Sequence, residues 1–397
     1  MIWFLLGPGL FGLLTSTIFT ALVFAGVLRF RRRLRASTPT GFASPVSLLK
    51  PLHGAEPNLD AHLESFFLQD YPEYEILFCA RRPDDAGLAI AREVAARHPH
   101  IPVKFLTAAE PVYINAKVSS LERMAEAAGY DIFIISDSDV RVTPEYIRSV
   151  AAPFADEKTG AVTCLYRGVA DRGLWSKLEA AGMSIEMTSG VLVADLMEGM
   201  QFTLGPTMAV RRRCVDEMGG FALLGPYCAD DFVLGNQVFT HGHTVVLSTH
   251  VIDHIVLNLS FTASQKHQIR WMKSTRFSRP KGHFGTALTF ALPFGLLAAA
   301  AGFLFHRPLL GAALLAYSMA ARMVFAAAVG GLVVQERHLL RTVLLYPLRD
   351  LLGFFYWAAS YGSSTILWRG RMYRLSEGGL MHSTEAETDK AKAAMPI

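Results

Sequence analysis

Several acids and cations in this chain fall at spacings that suit phosphate and metal chemistry. Asp137-Ser138-Asp139 closes the apolar run Asp131–Ser136 (DIFIIS). Carboxylates at i and i+2 of an extended backbone point to one side, so both can reach a single hard cation. Such a cation, bridging two phosphates, would neutralise a departing diphosphate. The same pair also suits a solvated turn. Asp84-Asp85 follows another apolar run, Glu75–Cys79, where an acid either meets a nucleoside or caps the helix beginning near Ala86. Lys117, in Asn115-Ala116-Lys117, opens a helix whose free N–H groups would favour a phosphate, although taken alone a solvated lysine fits slightly better. Asp230 and Asp231 follow the turn Leu224-Gly225-Pro226 and precede a helix, as a general base for a hydroxyl or as an N-cap. His267, Arg270 and Trp271 stand at i, i+3 and i+4, one helix face carrying an anion fork and an interfacial ring.

Alternating elements must position these groups. Val46–Leu49, Glu75–Cys79, Val103–Leu106 and Asp131–Ser136 read as strands. Asp60–Leu68, Ala86–Arg97 and Ala116–Ala128 read as the helices between them. DIFIIS is apolar on both faces, as in a parallel sheet covered on both sides. The order predicts an α/β fold with a doubly wound, mostly parallel sheet, and ligands at the carboxyl ends of its strands.

The rest of the chain is too apolar for a soluble enzyme. Its 397 residues are 51% hydrophobic and 18% charged, with a mean hydropathy of +0.29. Residues 1–28 lack Asp, Glu, Lys and Arg, and residues 286–334 contain only Arg307 and Arg322. Stretches of about 20 apolar residues are long enough to span a bilayer. Residues 1–29 are therefore expected to form a transmembrane helix, 36–280 a catalytic domain ending in an interfacial helix, and 286–367 a C-terminal membrane region. In that region Thr286–Phe305 and Leu309–Val334 read as a helical hairpin turning at His306-Arg307-Pro308. Leu339–Leu367, interrupted by Arg341, Pro347, Arg349 and Asp350, either spans or lies at the interface; residues 381–397 read as a flexible tail. Arg29, Arg31, Arg32, Arg33 and Arg35 follow the first apolar segment and place the catalytic domain in the cytoplasm by the positive-inside rule. A net charge of +4 gives no argument for nucleic acid. Cys79, Cys164, Cys214 and Cys228 show no metal-ligand spacing and read as isolated thiols in a reducing compartment.

Taken in order, Lys50-Pro51-Leu52-His53-Gly54, Asp84-Asp85, Asp137-Ser138-Asp139, Asp231 and the 267–271 box resemble the ceramide glucosyltransferase family over roughly residues 46–280 and the flanking apolar segments. The KPLHGAEP opening is most similar to that family's bacterial hopanoid-biosynthesis branch. His267 stands where the family has Gln or Arg. The resemblance implies a GT-A domain in a bacterial inner membrane, facing the cytoplasm. It implies inverting transfer from a UDP-sugar (N-acetylglucosamine or glucose) to a lipid hydroxyl, most readily a hopanoid, with ceramide as the alternative. It further implies Mg²⁺ or Mn²⁺ on Asp137 and Asp139, and Asp231, seconded by Asp230, as base. Lys50, Pro51, Glu56, Asp84, Asp85, Lys117, Asp137, His267, Arg270 and Trp271 are implied for the nucleotide-sugar. Two rivals remain at this point: a processive polysaccharide synthase, which shares the acids and the RW box, and a transporter, for which intramembrane Arg322 would speak.

Overall fold

The computed structural model describes residues 2–36, 41–108, 112–257, 260–368 and 370–384. The chain opens with α1 (Ile2–Ala36), then β1 (Val46–Pro51), α2 (Leu59–Glu64), β2 (Tyr74–Ala80), α3 (Ala86–Arg97), β3 (Val103–Thr107), α4 (Ala116–Ala127) and β4 (Ile132–Ile135). It continues through β5 (Val140–Arg141), α5 (Tyr146–Ala151), β6 (Thr159–Ala170), α6 (Gly173–Ala181), α7 (Thr188–Met197), β7 (Met208–Arg211), α8 (Arg212–Glu217), α9 (Asp230–Thr240) and β8 (Thr244–Val256). The last third comprises α10 (Phe261–Ser278), α11 (Pro280–Thr286), α12 (Leu292–Leu304), α13 (Pro308–Leu332), α14 (Leu339–Ala359), β9 (Thr365–Trp368), β10 (Arg371–Leu375) and β11 (Met381–Ser383).

Two compact units result: residues 1–36, 167–197 and 256–366 form one, and residues 37–166, 198–255 and 367–397 the other. The segment 36–280, expected as one domain, is thus divided between them.

The second unit is built on a sheet of order β3-β2-β1-β4-β7-β6-β8-β5. β1, β2, β3 and β4 are parallel neighbours, as the alternation of strands and helices requires. Every residue of β2 and β4 is buried, which explains the apolar runs Ile76–Ala80 and Ile132–Ile135. The far half departs from the expected mostly parallel sheet: β7 runs antiparallel to β4 and β6, and β5 antiparallel to β8. The sheet is therefore mixed, and its parallel half carries Asp137 just beyond β4.

In the other unit, α1 and α13 are long and apolar enough to cross a membrane, and α11 with α12 forms a pair bent by 46°. The bend coincides with Pro293 in the first turn of α12, where a missing N–H costs nothing. Glycines let the helices meet: a Cβ on Gly302 would lie 2.7 Å from the Gly311 Cα, which closes the α12–α13 hairpin. Arg322 is fully buried and pairs with Asp350 at 3.5 Å, while it donates to Thr20 Oγ1 and the Thr289 carbonyl. This is a structural pair between helices and removes the observation that spoke for transport. Arg29 and Arg33 of the basic cluster both approach Asp195.

Two expectations at the C-terminal end need correction. Leu339–Leu367 is not one apolar segment, because α14 ends at Ala359 and Thr365–Trp368 is a strand. Nor does a flexible tail begin at 381: Met381–Ser383 is β11, paired antiparallel with β10. Arg369 and residues 385–397 lie outside the described residues.

Candidate active site

β4 ends in Ser136, and the next three residues carry the acid pair. Asp137 is one-third exposed and accepts from Lys117 Nζ at 2.8 Å. Lys117 also lies 3.5 Å from Asp230. Burial opposes its charge, but Asp137 and Asp230 outweigh burial and hold the ammonium well above the usual lysine range. Asn115 sets this up by capping α4, accepting the Lys117 backbone N–H.

Asp139 accepts from His254 Nε2 at 3.0 Å through Oδ2, whereas its buried Oδ1 has no hydrogen-bond partner. Burial would raise this carboxyl, yet the His254 imidazole and the Lys50 ammonium hold it below the usual carboxylate range. Glu56 is displaced the other way, first by burial and then by the Asp139 charge. An orphaned buried carboxylate oxygen, with further acids beside it, is the environment a divalent cation would complete.

Asp231 sits in the first turn of α9, whose N-cap is Ala229, so neither acid of the pair is the cap. Its Oδ2 accepts the Gly205 N–H and its Oδ1 the Phe232 N–H, each at 2.8 Å, and Thr203 Oγ1 donates to its carbonyl. Burial, and next the neighbouring Asp230, push its carboxyl up to about 6. A base poised there is ionised at neutral pH and still basic enough to take a proton.

Gly205 joins the two halves of the site. A Cβ built on it would lie 3.3 Å from Asp231 Oδ2 and 3.6 Å from Asp137 Oδ2. Both carboxylates therefore border the same small space. Gly205→Ala should fold normally, by circular dichroism, yet lose at least about tenfold in kcat/KM, because a methyl group 3.3 Å from Asp231 Oδ2 is tighter than ordinary contact and shifts that carboxylate.

Other expected contacts come out differently. Lys50 is fully buried: its Nζ donates to the Asp137 carbonyl at 2.5 Å and lies 3.8 Å from the Phe66 ring centroid. Burial brings it down to about 7. It therefore supports the acid turn, and a direct nucleotide contact is not what its geometry offers. Pro51 ends β1, half-buried. Asp85 caps α3 through Gly87 and also accepts the Gly54 N–H, which fixes the loop after β1. Asp84 is exposed and forked by Arg82.

The box at 267–271 lies on α10 in the other unit. His267 Nδ1 is 2.5 Å from Glu179 Oε1, and its ring centroid is 4.6 Å from that of Trp271. Arg270 is half-buried. The buried polar members of this helix are Ser264, which donates to Glu179, and Gln268, which accepts from Arg349.

His254, Gly205 and Thr203 escape a reading of the sequence. His254 shares β8 with His250 and Asp253 and is brought opposite Val140 only by the β5–β8 pairing. Among the described residues, Cys214, Glu217 and His243 also cluster. His243 and Glu217 are 2.5 Å apart, closer than two tetrahedral ligands at about 2.0–2.2 Å from zinc can sit. They form a hydrogen-bonded pair beside a buried thiol.

The acid turn, the Lys117 salt bridges and the raised Asp231 carboxyl lie together beyond the parallel strands, the edge at which α/β folds take their ligands. The chain belongs to glycosyl transferase family 21, whose pattern matches residues 13–381. It is 30% identical over 206 residues to ceramide glucosyltransferase 1 of Caenorhabditis elegans, covering 52% of this chain and 44% of that one, so it spans less than half of that relative. It is 24% identical over 340 residues to ceramide glucosyltransferase 3 of the same organism, covering 84% and 73%. Among solved structures, the mannosyltransferase PcManGT of Pyrobaculum calidifontis with GDP-Man and Mn²⁺ aligns at a TM-score of 0.49 and 16% identity, over 88% of this chain and 99% of that one. S. aureus TarS with UDP-GlcNAc aligns at 0.40 and 15% identity, over 85% and 98%.

Proposed function

We propose that this protein is a membrane-bound, inverting glycosyltransferase that moves a sugar from a UDP-sugar onto a lipid hydroxyl. The observation that carries the reading is the shared space beside Gly205, bordered by Asp231 on one side and Asp137 on the other. A single displacement needs a base and a leaving-group site facing one centre. Asp231 Oδ2, held by the Gly205 N–H, takes the acceptor hydroxyl's proton as the new glycosidic bond forms. The sugar–phosphate bond breaks and the diphosphate leaves with the electron pair. Lys117 supplies positive charge beside Asp137, where the leaving negative charge accumulates.

Asp137 and the unpartnered oxygen of Asp139 would hold Mg²⁺ or Mn²⁺, with His254 fixing the other Asp139 oxygen. When bound, the ion supplies Lewis-acid stabilisation of the diphosphate. Lys50 holds the backbone of this turn from beneath.

The lipid acceptor is supported by the ceramide glucosyltransferases among the relatives and by two helices suited to a bilayer. The KPLHGAEP opening favours a hopanoid carrying N-acetylglucosamine; the named relatives favour ceramide and glucose. Mass spectrometry of lipids from a strain lacking the gene separates these, since a missing glycosylated hopanoid supports the first and a missing glucosylceramide the second.

The arginines in the last two turns of α1 support a cytoplasmic orientation of the catalytic acids, at a bacterial inner membrane. In sealed right-side-out vesicles, an N-terminal tag should be cleaved by added protease while the 46–255 segment stays protected. Cleavage within that segment would reverse the orientation.

A further inference from the structure

The 371–383 hairpin, invisible in the sequence, reaches the turn that leads into Asp230 and Asp231. The Cys228 N–H donates to the Gly379 carbonyl at 3.1 Å, and the Met381 N–H donates to the Pro226 carbonyl at 2.8 Å. Tyr227 and Leu380 form an antiparallel bridge between these two bonds. On its other side the turn is held by Asn115, whose N–H donates to the Gly225 carbonyl and whose side chain donates to the Tyr227 carbonyl. Tyr113 presses on Gly225 so closely that a Cβ there would lie 2.5 Å from its ring.

This fastening matters because α9 has no side-chain cap: Ala229 holds the N-cap position, one of the poorest choices there. No N-cap side chain fixes where the first turn of α9 begins. We propose that the C-terminal hairpin is a positioning clamp for the base. β11 sets the 226–228 turn, and through it the placement of Asp230 and Asp231 against Lys117. Asn115, which caps the Lys117 helix, holds the same turn from the other side and is independent of the hairpin, so Lys117 keeps its place when β11 is disturbed. The inference rests on Asp231 being the base.

Met381→Pro removes the N–H that Pro226 accepts, whereas Met381→Ala removes only the buried side chain. Both are measured in the full-length protein in detergent, with turnover, UDP affinity by calorimetry and melting temperature. Loss of alignment on the ångström scale predicts a fall in kcat of about ten- to a hundredfold for Met381→Pro. UDP affinity should stay within about twofold, and Met381→Ala should lose less than about threefold. Met381→Pro added to Asp231→Asn should cost nothing more, because both act through one group. The clamp is overturned if the two Met381 variants have equal turnover, if turnover and UDP affinity fall together, or if the double variant loses the product of the single effects. Failure of the base assignment has its own signature, normal turnover by Asp231→Asn alone.

Discussion

Asp231→Asn lowers turnover at least about 100-fold, the lower end for a lost general base and about 2.7 kcal/mol of barrier. Donor affinity changes little, because the proposed mechanism sets Asp231 against the acceptor's proton and leaves the diphosphate to Asp137 and Lys117. The pH dependence follows from the raised carboxyl. kcat/KM of the wild type rises with pH through about 6, as Asp231 becomes able to accept a proton. In the Asn variant that limb is missing. The stability effect has the opposite sense: the folded protein holds this proton in a range where the unfolded chain, at the ordinary value of 3.8, has released it. Asp231's contribution to stability is therefore full below 3.8 and is lost as pH rises through about 6. At pH 7 the Asn variant should melt no lower than the wild type, so lost turnover cannot be ascribed to unfolding. Asp230→Asn, which loosens only the longer Lys117 contact, is milder. Normal turnover by Asp231→Asn with an inert Asp230→Asn would exchange their roles.

Asp139→Asn abolishes metal-dependent transfer, with a loss on the order of 10³-fold, the upper range for removing one preorganised charge-stabilising group. The amide keeps one oxygen and still fills the site, so the fold should persist. Its signature is in binding as well as rate: calorimetric titration with Mn²⁺ should show binding to the wild type and a large loss in the variant. Undiminished transfer in the presence of a chelator would remove the metal from the account.

The acid turn was legible because DIFIIS is a buried strand that can only end at a polar edge, and Asp137 and Asp139 stand there. Lys117 and Asp231 were legible as helix openers near that edge. The interior role of Lys50 was not, since a lysine ending a strand reads as a surface cation until Phe66 is seen to cover it. His254 depends on the β5–β8 pairing, a contact between residues more than a hundred positions apart. The hairpin was missed because Thr365–Trp368 continues the apolar character of α14, and β10 and β11 are only five and three residues long. Short strands with arginine and glycine among them carry too little alternation to declare themselves.

The central claim, sugar transfer from a UDP-sugar to a lipid, is tested most directly by incubating detergent-purified protein with a panel of UDP-sugars, Mg²⁺ or Mn²⁺ and a lipid extract, then resolving products by mass spectrometry. The account predicts a discrete glycolipid carrying one added sugar, formed by the wild type and lost in Asp231→Asn. A polymer of sugars, or no transfer from any donor, would contradict it.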